Sequence, residues 1–90
     1  MSRQVRTFAI VNALGLHARA AAQLVQAANR YRSDVVIEKD GMEVNGKSIM
    51  GVLTLAAAKG SEIVVSVEGE DAEAGMAALA QIIQNGFGEK

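Results

Sequence analysis

The chain has 90 residues, a formal net charge of −1, one histidine and no cysteine, which defines one small domain, 1–90, without disulfides or thiolate metal ligands. Aromatic residues make up only 3% of it, so base stacking is a poor fit, and the balanced charge argues against a nucleic-acid footprint. A lone histidine argues against zinc, no apolar run reaches membrane-span length, and no apolar signal core follows Met1-Ser2-Arg3, so the expectation is a cytoplasmic domain without metal or cofactor.

Val5 to Val11 is rich in β-branched residues and places Phe8 and Ile10 on one face, which predicts a strand. Asn12 to Gly15 turns the chain. From Ala18 to about Asn29, Ala21, Leu24, Val25 and Ala28 form a single apolar stripe at helical spacing. Asp34 to Lys39 predicts a second strand with Val35 and Ile37 inward. Asp40-Gly41 is a two-residue hairpin signal, and Met42 to Asn45 pairs back. Ser48 suits the N-cap of a short helix from Ile49 to about Thr54, weakened by Gly51. Gly60 turns the chain into a strand from Glu62 to Glu68. Gly69-Glu70-Asp71 caps a last helix from Ala72 to about Asn85, striped by Ala72, Met76, Leu79, Ile82 and Ile83 and stopped by Gly86. The order β-α-β-β-α-β-α predicts an antiparallel or mixed sheet with helices on one face.

Chemistry concentrates in Gly15-Leu16-His17-Ala18-Arg19, where a strand hands over to a helix. Unpaired N–H groups in a first helical turn and the positive end of the macrodipole favour an anion there. Arg19 adds a planar cation suited to phosphate, and an imidazole is a nucleophile that titrates near neutrality. The segment is thus suited to holding a phosphoryl group on His17, with Ala18 and Arg19 contacting it. The plain alternative is that His17 only caps the helix.

Gly41 to Ser48 matches the phosphate-loop pattern G-x-x-x-x-G-K-[ST] letter for letter. Its context argues against a nucleotide site, because Asp40-Gly41 is a hairpin turn and the following helix is short, whereas that motif needs a buried strand before it and a full helix after it. Ser48 at a helix start is instead a place where an added phosphate is tolerated, or a simple cap. Ile49 and Met50 cannot both be buried on so short a helix, which makes them core overflow or a docking patch. Asp34, Glu38, Asp40, Glu43, Glu68, Glu70, Asp71 and Glu73 are spread over turns and strand ends and read as solvated surface.

Gly15-Leu16-His17-Ala18-Arg19, then Asn45-Gly46-Lys47-Ser48-Ile49-Met50-Gly51, then Gly60 before a strand and an acidic helix start together resemble the HPr family. Its members are phosphocarriers of the bacterial phosphoenolpyruvate-dependent phosphotransferase system, which serves sugar transport. The resemblance runs from about Val5 to Phe87. It implies an α+β open-faced β-sandwich with a four-stranded antiparallel sheet and three helices on one face. It further implies that phospho-enzyme I phosphorylates His17 on Nδ1, that an enzyme IIA domain receives the group, and that the carrier is a monomer and not a stand-alone enzyme. Arg19 matches the family's active-site arginine, Ser48 the serine that a dedicated kinase phosphorylates in many members, and Ile49 and Met50 the partner-contact patch. The resemblance also makes the two helix starts, at His17 and Ser48, neighbours. Ala20 stands where the family usually has proline, a residue favoured in the first helical turn. Alanine keeps the helix and leaves one more backbone donor near the anion site. The resemblance leaves open the carbohydrate or the nitrogen-related branch. The rival from another class is a regulatory module of similar α+β layout that works by non-covalent contacts.

Overall fold

Residues 2–89 are described by the structure, a computed structural model. Period-two alternation builds the sheet from β1 (Ser2–Ala9), β2 (Asp34–Lys39), β3 (Met42–Asn45) and β4 (Glu62–Gly69). Their spatial order is β1-β4-β2-β3, and each neighbouring pair is antiparallel. Phe8, Val35, Ile37, Ile63, Val65 and Val67 point to one face and are buried. The residues between them, such as Thr7, Val36, Glu38, Val64, Ser66 and Glu68, face the other side and are exposed or half-buried. One wet face and one packed face follow from the sequence alternation.

Helices α1 (Ala18–Ala28), α2 (Ile49–Thr54) and α3 (Ala72–Gln84) cover the packed face. The predicted α1 stripe is buried in full, and Ala20 and Ala27 join it, so α1 presents a small-residue surface that lets it lie close to α3. On α3, Ala72, Met76, Leu79 and Ile83 are buried, while Ile82 is half-buried at the edge of the core. The expected open-faced sandwich is therefore observed. The bounds of β2, β3 and α2 match the sequence pattern, as does the hairpin, where Asp40 and Gly41 both take the positive φ of a type I′ turn.

Three departures have physical causes. First, β1 begins at Ser2 because its pairing with β4 continues to Ser2 opposite Gly69. It ends at Ala9 because Ile10 instead exchanges backbone bonds with the turn before β4, to Ser61 O at 2.9 Å and from Gly60 N–H at 2.8 Å. Second, the chain beyond α3 does not trail off. Gly86–Gly88 form a 3-10 turn, and Phe87 is buried in the core. Third, Asp71 occupies the N-cap position of α3 but makes no side-chain cap bond.

The Asp71 carboxylate instead accepts hydrogen bonds from the Arg32 and Ser33 N–H groups at 2.9 Å each and from the Ser33 hydroxyl at 2.5 Å. It ties the loop before β2 to the start of α3. The Ser33 hydroxyl is the largest cause, with the Arg32 N–H next, of an Asp71 pKa lowered to about 2. Its solvated-surface assignment is thus corrected: Asp71 is a loop anchor. A carboxylate held below its unfolded pKa of about 3.9 contributes stability that is complete above that value and is lost as pH falls through the folded one. We therefore expect Asp71→Asn to melt below wild type at neutral pH, with the difference closing between pH ~4 and ~2. Thermal melts across that range check this; a difference independent of pH would contradict it.

Candidate functional site

The site is set by a turn that brings the chain from β1 into α1. Gly15 has φ +65, and a Cβ placed there would lie 2.4 Å from the Ala57 carbonyl oxygen. Only glycine permits both the conformation and the approach. The approach lets Leu16 N–H donate to Ala57 O at 2.8 Å, and the buried Leu16 side chain anchors the turn in the core. Ala56, just before this contact, is a non-glycine residue at φ +49, a strained conformation held by its surroundings.

His17 follows as the N-cap of α1, with extended backbone. The first intrahelical donor is Ala21, to His17 O at 2.8 Å, so the N–H groups of Ala18, Arg19 and Ala20 have no partner within the helix. Ala18 and Arg19 are exposed on this first turn, and among the described residues Arg19 has no ion-pair partner. His17, the backbone donors without intrahelical partners and Arg19 thus all belong to the first turn of one helix.

The His17 side chain makes no cap bond. Its Nε2 lies 2.5 Å from Glu89 Oε2. The same oxygen accepts from Asn12 Nδ2 at 3.1 Å, and that amide also donates to Gly15 O at 2.8 Å. Because both neighbours of this nitrogen are acceptors, the buried Asn12 amide can be oriented only one way. The hydrogen bond with His17 is the main cause of a Glu89 carboxyl held below its ordinary range; those from Asn12 and the Leu14 N–H add to it, and partial burial opposes it. Neither Glu89 nor Asn12 carries a motif in the sequence. The one available signal was Gly86-Phe87-Gly88, a turn-forming triplet with an apolar centre followed by an acid.

Ser48 is the N-cap of α2, and its hydroxyl accepts from Gly51 N–H at 3.1 Å. Asn29, just past the end of α1, donates to Lys47 O at 3.4 Å, while Ala57, just past α2, meets the start of α1. The two helices therefore run in opposite senses. A helix of 11 residues is about 16 Å long, so Ser48 sits near the far end of α1 from His17. The two helix starts are not neighbours, contrary to what the resemblance implied.

Ile49 and Met50 are 42% and 75% exposed, and Leu14 and Val11 on the β1–α1 turn are also open. A groove at the β2–β3 edge is lined by Asp34, Val36, Glu43, Val44 and Lys47 and includes none of His17, Arg19 or Ser48. His17 itself is half-buried at the start of α1. The Gly41 to Ser48 stretch is the end of a hairpin turn, strand β3, a two-residue turn and a helix cap, as its context required, and not a phosphate loop.

A family model described as the PTS HPr component phosphorylation site matches residues 4–85. The phosphocarrier protein HPr of Xylella fastidiosa is 48% identical over 80 residues, covering 89% of this chain and 90% of that protein. The crystal structure of HPr-C-His from Thermoanaerobacter tengcongensis superposes with a TM-score of 0.93 at 42% identity, covering 97% of this chain and 98% of that one. Crh of Bacillus subtilis, a catabolite-repression protein whose crystal structure is described as a domain-swapped dimer, is similar at 48% identity and TM-score 0.75, covering 81% of this chain and 84% of that one. With that match across most of its length, the chain belongs to the HPr family of phosphocarrier components of the phosphotransferase system.

Proposed function

We propose that His17 is the phosphoryl acceptor, that Nδ1 is the attacking atom, and that the group passes from phospho-enzyme I to an enzyme IIA domain in the cytoplasm. The observation that carries this reading is a half-buried imidazole at the start of α1, beside N–H groups without intrahelical partners. A group that must be received and given away belongs on an open surface, where each partner supplies the rest of the site. A carboxylate only accepts hydrogen bonds, so Nε2 against Glu89 carries hydrogen and neutral His17 has its lone pair on Nδ1. That lone pair attacks phosphorus, the donor's bond to phosphorus breaks, and the electron pair of that bond returns to the donor. The backbone donors of Ala18 and the Arg19 guanidinium then offset the charge of the transferred group. Holding it no more tightly than the transition state keeps onward transfer fast.

The docking surface in this reading is the exposed apolar set that includes Ile49 and Met50, and the working unit is the monomer. Ser48 is the regulatory site, modified by an ATP-dependent kinase. Added charge at the α2 N-cap favours the helix but must lose water beside Met50 when a partner docks, which is costly without a matched cation. Ser48 lies near the opposite end of α1 from Arg19, and charges separated by more than a Debye length of about 8 Å are largely screened. Its effect therefore falls on docking and not on the chemistry at His17. The similarity to Crh supports a second, regulatory reading in which non-covalent contacts suffice.

Incubation with enzyme I and phosphoenolpyruvate, followed by intact mass, separates the two. Wild type gains one acid-labile phosphoryl group, while His17→Ala gains none and keeps its fold; acceptance by His17→Ala would overturn the assignment. Arg19→Ala loses about tenfold to a thousandfold in transfer rate, as expected for one charge-assisted contact removed from a multi-donor site. For Ser48→Asp we expect a raised KM toward phospho-enzyme I with kcat and circular dichroism unchanged. A fall in kcat at constant KM would place the effect at His17 instead.

A further inference from the structure

The tail beyond α3 is shaped to deliver one atom. Asn85 ends the helix, and Gly86, Phe87 and Gly88 then all take positive φ, at +62, +57 and +75. For phenylalanine this conformation is strained, and it persists because the ring is buried and its carbonyl accepts from Gln23 Nε2 at 3.1 Å. Three successive left-handed residues turn the chain back over the start of α1. The Glu89 carboxylate arrives where His17 Nε2 and Asn12 Nδ2 converge. Both side chains in this contact are partly covered, 29% exposed for His17 and 19% for Glu89.

We infer that Glu89 is a positioning residue for phosphoryl transfer, holding the hydrogen on Nε2 of His17 and offsetting the positive charge that the ring acquires on attack. The inference rests on His17 being the acceptor and adds to that reading the group that selects which ring nitrogen reacts. The chemistry follows from the imidazole. In one neutral tautomer Nε2 carries the hydrogen and Nδ1 the lone pair; in the other the roles are exchanged and Nδ1 cannot attack. A carboxylate at Nε2 stabilises only the first. When Nδ1 bonds to phosphorus with Nε2–H retained, the five-membered ring becomes cationic, and its charge is shared with the N–H that faces Glu89. Return of the N–P bond pair to Nδ1 during onward transfer restores the neutral tautomer, and no proton moves in either direction. A carboxylate that orients an imidazole and stabilises its cationic form follows the same logic in hydrolase triads. Asn12 is the support: its amide bonds Gly15 O and Glu89 together, so the turn that places His17 also places its partner.

The test separates charge from hydrogen bonding. Histidine-selective 15N labelling, read at a pH where the imidazole is neutral, reports the tautomer without any phosphoryl chemistry. Wild type and Glu89→Gln, which keeps an accepting oxygen, are expected to show hydrogen on Nε2, whereas Glu89→Ala shows a mixture of tautomers. In enzyme I-dependent phosphorylation, Glu89→Ala is expected to lose about tenfold in kcat with little change in KM, with Glu89→Gln between it and wild type. A Glu89→Ala protein with the wild-type tautomer balance, or with wild-type kcat, would overturn the role of Glu89. Absence of phosphorylation in wild type would instead overturn the assignment of His17 as acceptor, while the tautomer readout would still report on the Glu89 contact.

Discussion

The close approach of the β1–α1 turn to the chain leaving α2 is the constraint on which the site depends. At Gly15 there is no room for a side chain against Ala57 O, and the next residue donates its N–H to that same oxygen. Leu16 fills the core beneath. These contacts fix where α1 begins, and therefore where its unpaired N–H groups and the imidazole point. Ala56 takes a left-handed conformation on the other side of the contact, at a cost on the order of 1–2 kcal/mol for a residue with a Cβ. The fold thus spends backbone strain on the loop that supports His17, while the sheet beneath remains regular.

A second strained residue, Phe87, serves the same place from the opposite end of the chain. The first turn of α1 supplies positive potential on one side of the imidazole, and Glu89 supplies negative charge at Nε2. The two nitrogens of one ring therefore face different electrostatic surroundings. Here Ala18, Arg19 and Leu14 remain exposed around it, which suits the proposed role of a side chain reached in turn by a donor and an acceptor.

Much of this was legible in the sequence. Alternation at Ile63, Val65 and Val67, the stripe through Ala21, Leu24, Val25 and Ala28, and the Asp40-Gly41 hairpin carry local periodicity or turn chemistry, and the structure follows them. His17, Arg19 and Ser48 stood out for the same reason: each lies at a helix start that the pattern reveals. What escaped is non-local. Asp71 looked like a cap, but its carboxylate is used by Ser33, which no spacing rule connects to it. Glu89 meets His17 across 72 positions, through a turn whose central residue is not glycine. Periodicity says which face a residue occupies and nothing about which distant loop that face meets. The opposite running of α1 and α2 likewise follows from contacts at Lys47 and Ala57, and it separates Ser48 from His17, whose helix starts the resemblance had made neighbours.

The central claim is that the folded loop presents Nδ1 of His17, and not Nε2, to the incoming phosphoryl group. The most direct measurement is 31P and 15N NMR of histidine-labelled protein after incubation with enzyme I and phosphoenolpyruvate. The account predicts a single phosphorus coupled to Nδ1 of His17, with hydrogen retained on Nε2. Phosphorus coupled to Nε2, or bound at any other residue, would contradict it.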